Sequence, residues 1–150
     1  MATQQSSTME MRIDKDGVVR TVVARTYADH PRLAEGDPIT VRVRMREPGA
    51  TTGSLASFAV PYRRDMRIID LLHAITDRGE SVGYRWFCST KKCGGCGMRV
   101  NGEPRLVCWE GVESAELLIE PLDQFDVVRD LVVDRTAYQA RCISLKPYLE

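Results

Sequence analysis

The chain carries no excess of charge of either sign: its 150 residues hold 21 Lys and Arg against 21 Asp and Glu. That balance leaves no overall polyanion-binding surface and argues against a nucleic acid partner. Long apolar runs are also missing, and nothing in the sequence approaches the length of a membrane span. The N-terminus is polar, without the apolar centre of a secretory signal. Nothing therefore marks the chain for an oxidising compartment, where disulfides would persist. Histidine is scarce, with only His30 and His73, and neither has the partners of a Ser/His/Asp arrangement. P-loop and GxGxxG motifs are absent as well. The chain alone offers no catalytic constellation, so difficult chemistry belongs to a bound cofactor or to another chain.

Cysteine is sparse too, but four of the five copies are ordered. Cys88, Cys93, Cys96 and Cys108 stand in the pattern C-x4-C-x2-C-x11-C. A cluster of two irons and two sulfides needs four thiolates, two on each iron, and a loop carrying three of them is the plant-type solution. Gly94 and Gly95 fit a tightly turning loop, because glycine reaches positive φ without a Cβ penalty. Their missing side chains also let backbone N–H groups approach sulfur. A structural zinc site would more typically pair two CxxC knuckles, and only Cys93-x2-Cys96 has that form. The spacing thus points to a 2Fe–2S cluster held by Cys88, Cys93, Cys96 and Cys108. Cys142 is left over, and a buried small hydrophobe is the expectation for it.

The rest of the chain reads as a scaffold for that loop. Residues 1–8 have a leader's polar composition, and alternation around Asp16-Gly17 predicts a small hairpin. Residues 28–38, with Pro31, Gly36 and Pro38, read as a linker. Ile39, Val41 and Val43 alternate with Thr40, Arg42 and Arg44, predicting a strand with one apolar and one basic face. Ala56, Phe58, Val60 and Tyr62 read as its partner. Asp65 is the expected N-cap of a helix with Ile68, Leu71, Leu72 and Ile75 on one face and Gly79 closing it. His73 falls off that face and is expected at the surface, while His30 has no assigned role. Asn101-Gly102 predicts a tight hairpin that returns Cys108 to the loop, and residues 116–121 supply a last strand. Strand, strand, helix, cluster loop, hairpin and strand is the order of an α+β, β-grasp ferredoxin, a mixed sheet on one helix.

Charge is uneven along this scaffold. Arg85, Lys91, Lys92, Arg99 and Arg105 make the cluster region locally basic, whereas acids dominate residues 110–134. Lys91 and Lys92 at the loop tip, with Trp86, Phe87 and Trp109 beside the ligands, leave two readings open. The aromatics cover the cluster, as expected at least for Phe87, or the face docks a partner with the lysines meeting acids.

From about residue 39 onward the chain resembles the N-terminal part of the succinate dehydrogenase and fumarate reductase iron–sulfur subunit family. Two stretches carry the resemblance. One is the cysteine loop running into Gly97-Met-Arg-Val-Asn-Gly102. The other is Pro121-Leu122, then Val128-Arg-Asp-Leu-Val-Val-Asp134, then Lys146-Pro-Tyr-Leu149. The resemblance implies that Cys88, Cys93, Cys96 and Cys108 ligate a 2Fe–2S cluster that exchanges electrons with FAD in a partner flavoprotein. It implies a non-catalytic electron-transfer subunit, cytoplasmic or peripheral on the inner face of the membrane through partner subunits. A further iron–sulfur domain or a membrane-anchor subunit would complete the relay. The expected organisation is an N-terminal extension over 1–38, a ferredoxin-like domain over 39–125 and a helical linker over 126–150. Beyond that linker the family's second iron–sulfur domain would follow. Its absence from the sequence suits either the first domain of a longer subunit or a shortened relative. The alternatives are a small iron–sulfur subunit of the molybdenum hydroxylase type, which would need a second cysteine quartet, and a stand-alone ferredoxin. A cluster with a purely structural or redox-sensing role is the reading outside electron transfer.

Overall fold

The computed structural model describes residues 10–13, 19–22 and 33–144. The expected leader, His30 and the Lys146-Pro-Tyr-Leu149 motif lie outside the described residues. The chain divides into two units, Met1–Arg32 and Leu33–Glu150. In the first, β1 (Glu10–Ile13) pairs antiparallel with β2 (Val19–Val22), Glu10 opposite Val22 and Ile13 opposite Val19.

The boundary lies before the Pro38/Ile39 division that the composition suggests. Backbone hydrogen bonds from Gly36 to Tyr62 and from Tyr62 back to Asp37 tie residues 36–37 into the second unit, and Leu33 packs against its core. There the alternating apolar residues build the sheet. β3 (Pro38–Met45) buries Ile39, Val41 and Val43 completely. β4 (Ser54–Pro61) pairs with it antiparallel, setting Ile39 opposite Val60 and Val41 opposite Phe58. On the other face, Arg42 and Arg44 reach Glu116 and Glu120 of β7 (Glu116–Glu120). β7 runs parallel to β3 and antiparallel to β5 (Gly97–Val100), which in turn pairs with β6 (Glu103–Leu106). The sheet order is β4-β3-β7-β5-β6.

One helix covers the buried face. α1 (Ile68–Thr76) contributes Ile68, Leu71, Leu72 and Ile75, as its spacing predicts, and also Ile69. Its start differs from the expectation. Arg67 holds the N-cap position, with its N–H donated to the Asp70 carboxylate at 2.8 Å. Asp65 sits two residues earlier at φ 63, a conformation that Asp tolerates and that spends it on the preceding turn.

The C-terminal segment is helical only in part. Val127–Arg129 (β8) and Val132–Val133 (β9) form a small antiparallel hairpin before α2 (Thr136–Ser144) begins. Paired β-branched residues suit a strand better than a helix, and Asp130 at φ 47 makes the turn. This hairpin belongs to the domain. Leu131 and Val133 are buried in it. Asp130, only 2% exposed, accepts hydrogen bonds from the N–H groups of Arg46 (2.9 Å) and Gly83 (2.8 Å). The 125/126 division implied by the resemblance therefore runs through packed structure. No helix among the described residues is long and apolar enough to cross a membrane.

Candidate iron–sulfur site

The four candidate cysteines come from three places that the sheet brings together. Cys88 and Cys93 lie in the irregular loop after α1, Cys96 immediately before β5, and Cys108 just after β6. Antiparallel pairing of β5 and β6 sets Gly97 opposite Leu106, and the Val107 N–H donates to the Cys96 carbonyl at 3.3 Å. That register is what carries Cys108 back to Cys96. It depends on Asn101 and Gly102, both at positive φ (50° and 85°) as a type I′ turn requires.

The quartet divides into an exposed pair and a buried pair. Cys88 and Cys93 are on the outer loop, Cys93 exposed and Cys88 half-buried. Three N–H groups, from Thr90, Lys92 and Cys93, converge on the Cys88 sulfur at 3.3–3.4 Å. The Gly95 N–H donates to the Cys93 sulfur at 3.4 Å. Cys96 and Cys108 are 2% and 1% exposed, on segments joined by the Val107 N–H to Cys96 carbonyl hydrogen bond. The electrostatics follow. Hydrogen bonds from the Cys93 and Thr90 backbone, then the Thr90 hydroxyl, lower the Cys88 thiol to about 6. Burial, then the hydrogen bond with Cys108, raises Cys96 to about 11. Among the described residues no three His, Cys, Asp or Glu side chains are grouped so that they could hold a single metal ion. The donor set offers four thiols, two on the outer loop and two buried, the number a binuclear cluster needs, and amides aimed at sulfur suit an anionic cluster. The residues fit a 2Fe–2S group.

Several surrounding residues differ from expectation. Gly94 takes φ 66, but Gly95 does not use positive φ; Ser89 and Lys91 do, at 53° and 61°. A Cβ on Gly94 would come 3.3 Å from the Arg135 guanidinium, so this glycine also makes room for a neighbour. Phe87 is 86% exposed and is not part of the core among the described residues. Trp86 packs on His73 in a T-shaped contact with centroids 4.8 Å apart. His73 is accordingly half-buried, with Nε2 lacking a hydrogen-bond partner among the described residues. Cys142 is half-buried on α2, beside the Tyr138 hydroxyl, and not in the core. The basic surface is partly matched: Arg99 pairs with Asp123 at 2.7 Å and Arg105 with Glu110 at 3.3 Å. Lys91 and Lys92 remain exposed. Two arginines that no local sequence pattern singles out also reach the loop. Arg67 donates to the carbonyls of Ser89 (3.3 Å) and Cys108 (2.9 Å), and Arg135 donates to that of Gly94.

A mixed sheet, one covering helix and a cysteine loop lined with amides describe an iron–sulfur protein of the ferredoxin-like class. Residues 40–140 match the family described as 2Fe-2S iron-sulfur cluster binding domain, and the chain belongs to that family. Its cofactor is accordingly a 2Fe–2S cluster. Among curated relatives, the fumarate reductase iron-sulfur subunit of Haemophilus influenzae is 40% identical over 98 residues, 63% of this chain and 38% of that protein. The fumarate reductase iron-sulfur subunit of Mycobacterium tuberculosis is 33% identical over 118 residues, 75% of this chain and 48% of that protein. Among solved structures, a chain of the Mycobacterium smegmatis Sdh1 complex in the apo form aligns with a TM-score of 0.65 and 28% identity. That alignment covers 76% of this chain and 48% of the other. The chain thus spans half or less of the length of these relatives.

Proposed function

We propose that this chain is an electron-transfer component of a succinate dehydrogenase or fumarate reductase type complex. Its 2Fe–2S cluster relays electrons between FAD in a partner flavoprotein and a further carrier. Cys88 and Cys93 hold one iron, Cys96 and Cys108 the other. The domain is a β-grasp, a reading supported by the β4-β3-β7-β5-β6 order around α1. The chain supplies no catalytic residue of its own. The bound cluster supplies one-electron chemistry. The protein's residues set where it sits, how dry it is and which charges face it. The reading places the chain on the cytoplasmic side, attached to a membrane only through partners such as a further iron–sulfur domain or an anchor subunit.

The observation that carries this reading is the pairing itself: amides converge on Cys88 and Cys93 in an exposed loop, and the β5–β6 pairing brings the buried Cys108 back to the buried Cys96. An exposed edge is what electron transfer needs, because tunnelling weakens steeply through intervening protein. The comparisons favour neither the molybdenum hydroxylase subunit nor the stand-alone ferredoxin.

The test is spectroscopic. Cys88→Ser, Cys93→Ser or Cys108→Ser should abolish or cripple the visible and EPR signals of the reconstituted cluster, whereas Cys142→Ser should leave them intact. Cys96→Asp should keep a cluster at a shifted potential, with a carboxylate oxygen in place of the thiolate as ligand. A Cys142 variant without a signal, or full signals after loss of Cys88, would overturn the ligand assignment.

A further inference from the structure

Two of the amides that face sulfur belong to peptides whose oxygens are also held. In the Ser89–Thr90 peptide, the Thr90 N–H donates to the Cys88 sulfur at 3.4 Å while the Ser89 oxygen accepts from Arg67 Nη1 at 3.3 Å. The same Nη1 donates to the Cys108 carbonyl at 2.9 Å, linking the segments of the first and fourth cysteines. In the Gly94–Gly95 peptide, the Gly95 N–H donates to the Cys93 sulfur at 3.4 Å while the Gly94 oxygen accepts from Arg135 Nη1. A trans peptide is planar, with C=O and N–H on opposite sides, so holding the oxygen fixes where the hydrogen points. A cationic donor on the oxygen also polarises the peptide and strengthens donation at its other end.

Both guanidiniums are themselves restrained. Arg67 stands at the N-cap of α1 with its guanidinium carbon 5.4 Å from the centroid of Trp109. Arg135 enters from between β9 and α2, 5.3 Å from the centroid of Tyr138, with its Nε buried. Among the described residues neither guanidinium meets a carboxylate in an ion pair. The arrangement repeats at two peptides with arginines 68 positions apart in the chain, and each time the peptide faces a different sulfur of the exposed pair.

We propose that Arg67 and Arg135 are positioning residues that hold the Ser89–Thr90 and Gly94–Gly95 peptides with their N–H groups on the Cys88 and Cys93 sulfurs, and thereby raise the cluster's reduction potential. This rests on the assignment of Cys88 and Cys93 as ligands. Amide donation to sulfur stabilises the added electron, so releasing either peptide makes the cluster harder to reduce.

Redox titration followed by EPR on the reconstituted full chain tests this, with pulsed EPR reading the weak couplings of exchangeable amide hydrogens. Arg67→Met or Arg135→Met should move the midpoint to lower potential by about 59 mV, a tenfold change in the oxidised-to-reduced ratio for one electron. Each should also lose part of the exchangeable-hydrogen coupling. Arg67→Lys and Arg135→Lys keep the charge without the planar fork, and should recover the midpoint only partly. They remain informative if a Met variant fails to hold a cluster. Arg99→Met, which removes a cation that does not touch the loop, should leave the amide couplings unchanged. Unchanged couplings in the Met variants, or full recovery of the midpoint by Lys, would reduce the arginines to distant charges and overturn the proposal. Cluster signals that survive Cys88→Ser would instead overturn the ligand assignment on which it rests.

Discussion

Asp130 is a carboxylate with almost no exposed surface, held by the amides of Arg46 and Gly83 and by the Arg129 guanidinium at 3.4 Å. Asp130→Ala should therefore destabilise the domain by about 1–3 kcal/mol for each stranded amide, read as a lower denaturant midpoint. The cysteines allow a second test in the cluster-free protein. With its thiol lowered to about 6, Cys88 is largely thiolate at neutral pH, whereas Cys96, raised to about 11, stays protonated. Thiolate is the reactive form. Brief alkylation at pH 7 followed by peptide mass spectrometry should thus label Cys88 before Cys96, with labelling of Cys88 falling as pH drops through about 6. The candidate ligands were legible in the sequence because three of them are local and the fourth follows a recognisable turn. Asp130, Arg67 and Arg135 were not. Their partners lie 84 and 47, 22 and 41, and again 41 residues away along the chain, and no local pattern reports such contacts.

At the level of elements, the β5–β6 hairpin matters most to the site, since its register delivers Cys108. Gly102→Val puts a β-branched residue at φ 85. The strain of a left-handed residue is about 1–2 kcal/mol, and the slipped turn should lower cluster content per chain, measured as visible absorbance against protein. Strands β3, β4 and β7, the face of α1 and this hairpin were all readable, because each pairs a strict period with a turn signal. The start of α1 was not. Asp65 looks like a cap locally, yet pairing of Arg67 with Gly111 and the Asp70 hydrogen bond place the boundary later. The C-terminal segment misleads in one respect: the apolar run Val127 to Val133 gives grounds for packing on the domain, but reading the segment as a helical linker missed the hairpin that its strand composition favours.

Across the whole molecule, that packing makes the segment part of the fold. A chain ending at Asp126 should lose thermal stability and cluster together, because Leu131, Val133, Asp130 and Arg135 all go with it. The exposed loop carries another molecule-scale expectation. Lys91→Glu with Lys92→Glu should slow electron exchange with a flavoprotein partner and weaken its dependence on salt while leaving the cluster spectrum unchanged, as complementary charge acts on encounter. Stopped-flow rates across ionic strength would measure it; equal rates would move the docking face elsewhere. The reach of Arg135 back to Gly94 also has a meaning in time. Synthesis adds about 5–20 residues per second, and 41 residues separate the two. For roughly 2–8 s after Gly94 is made, the cysteine loop exists on the ribosome without the side chain that fastens its middle peptide. A cluster delivered in that interval would meet thiols in an unfinished cradle, so loading of the finished site belongs after translation of this segment, not during it.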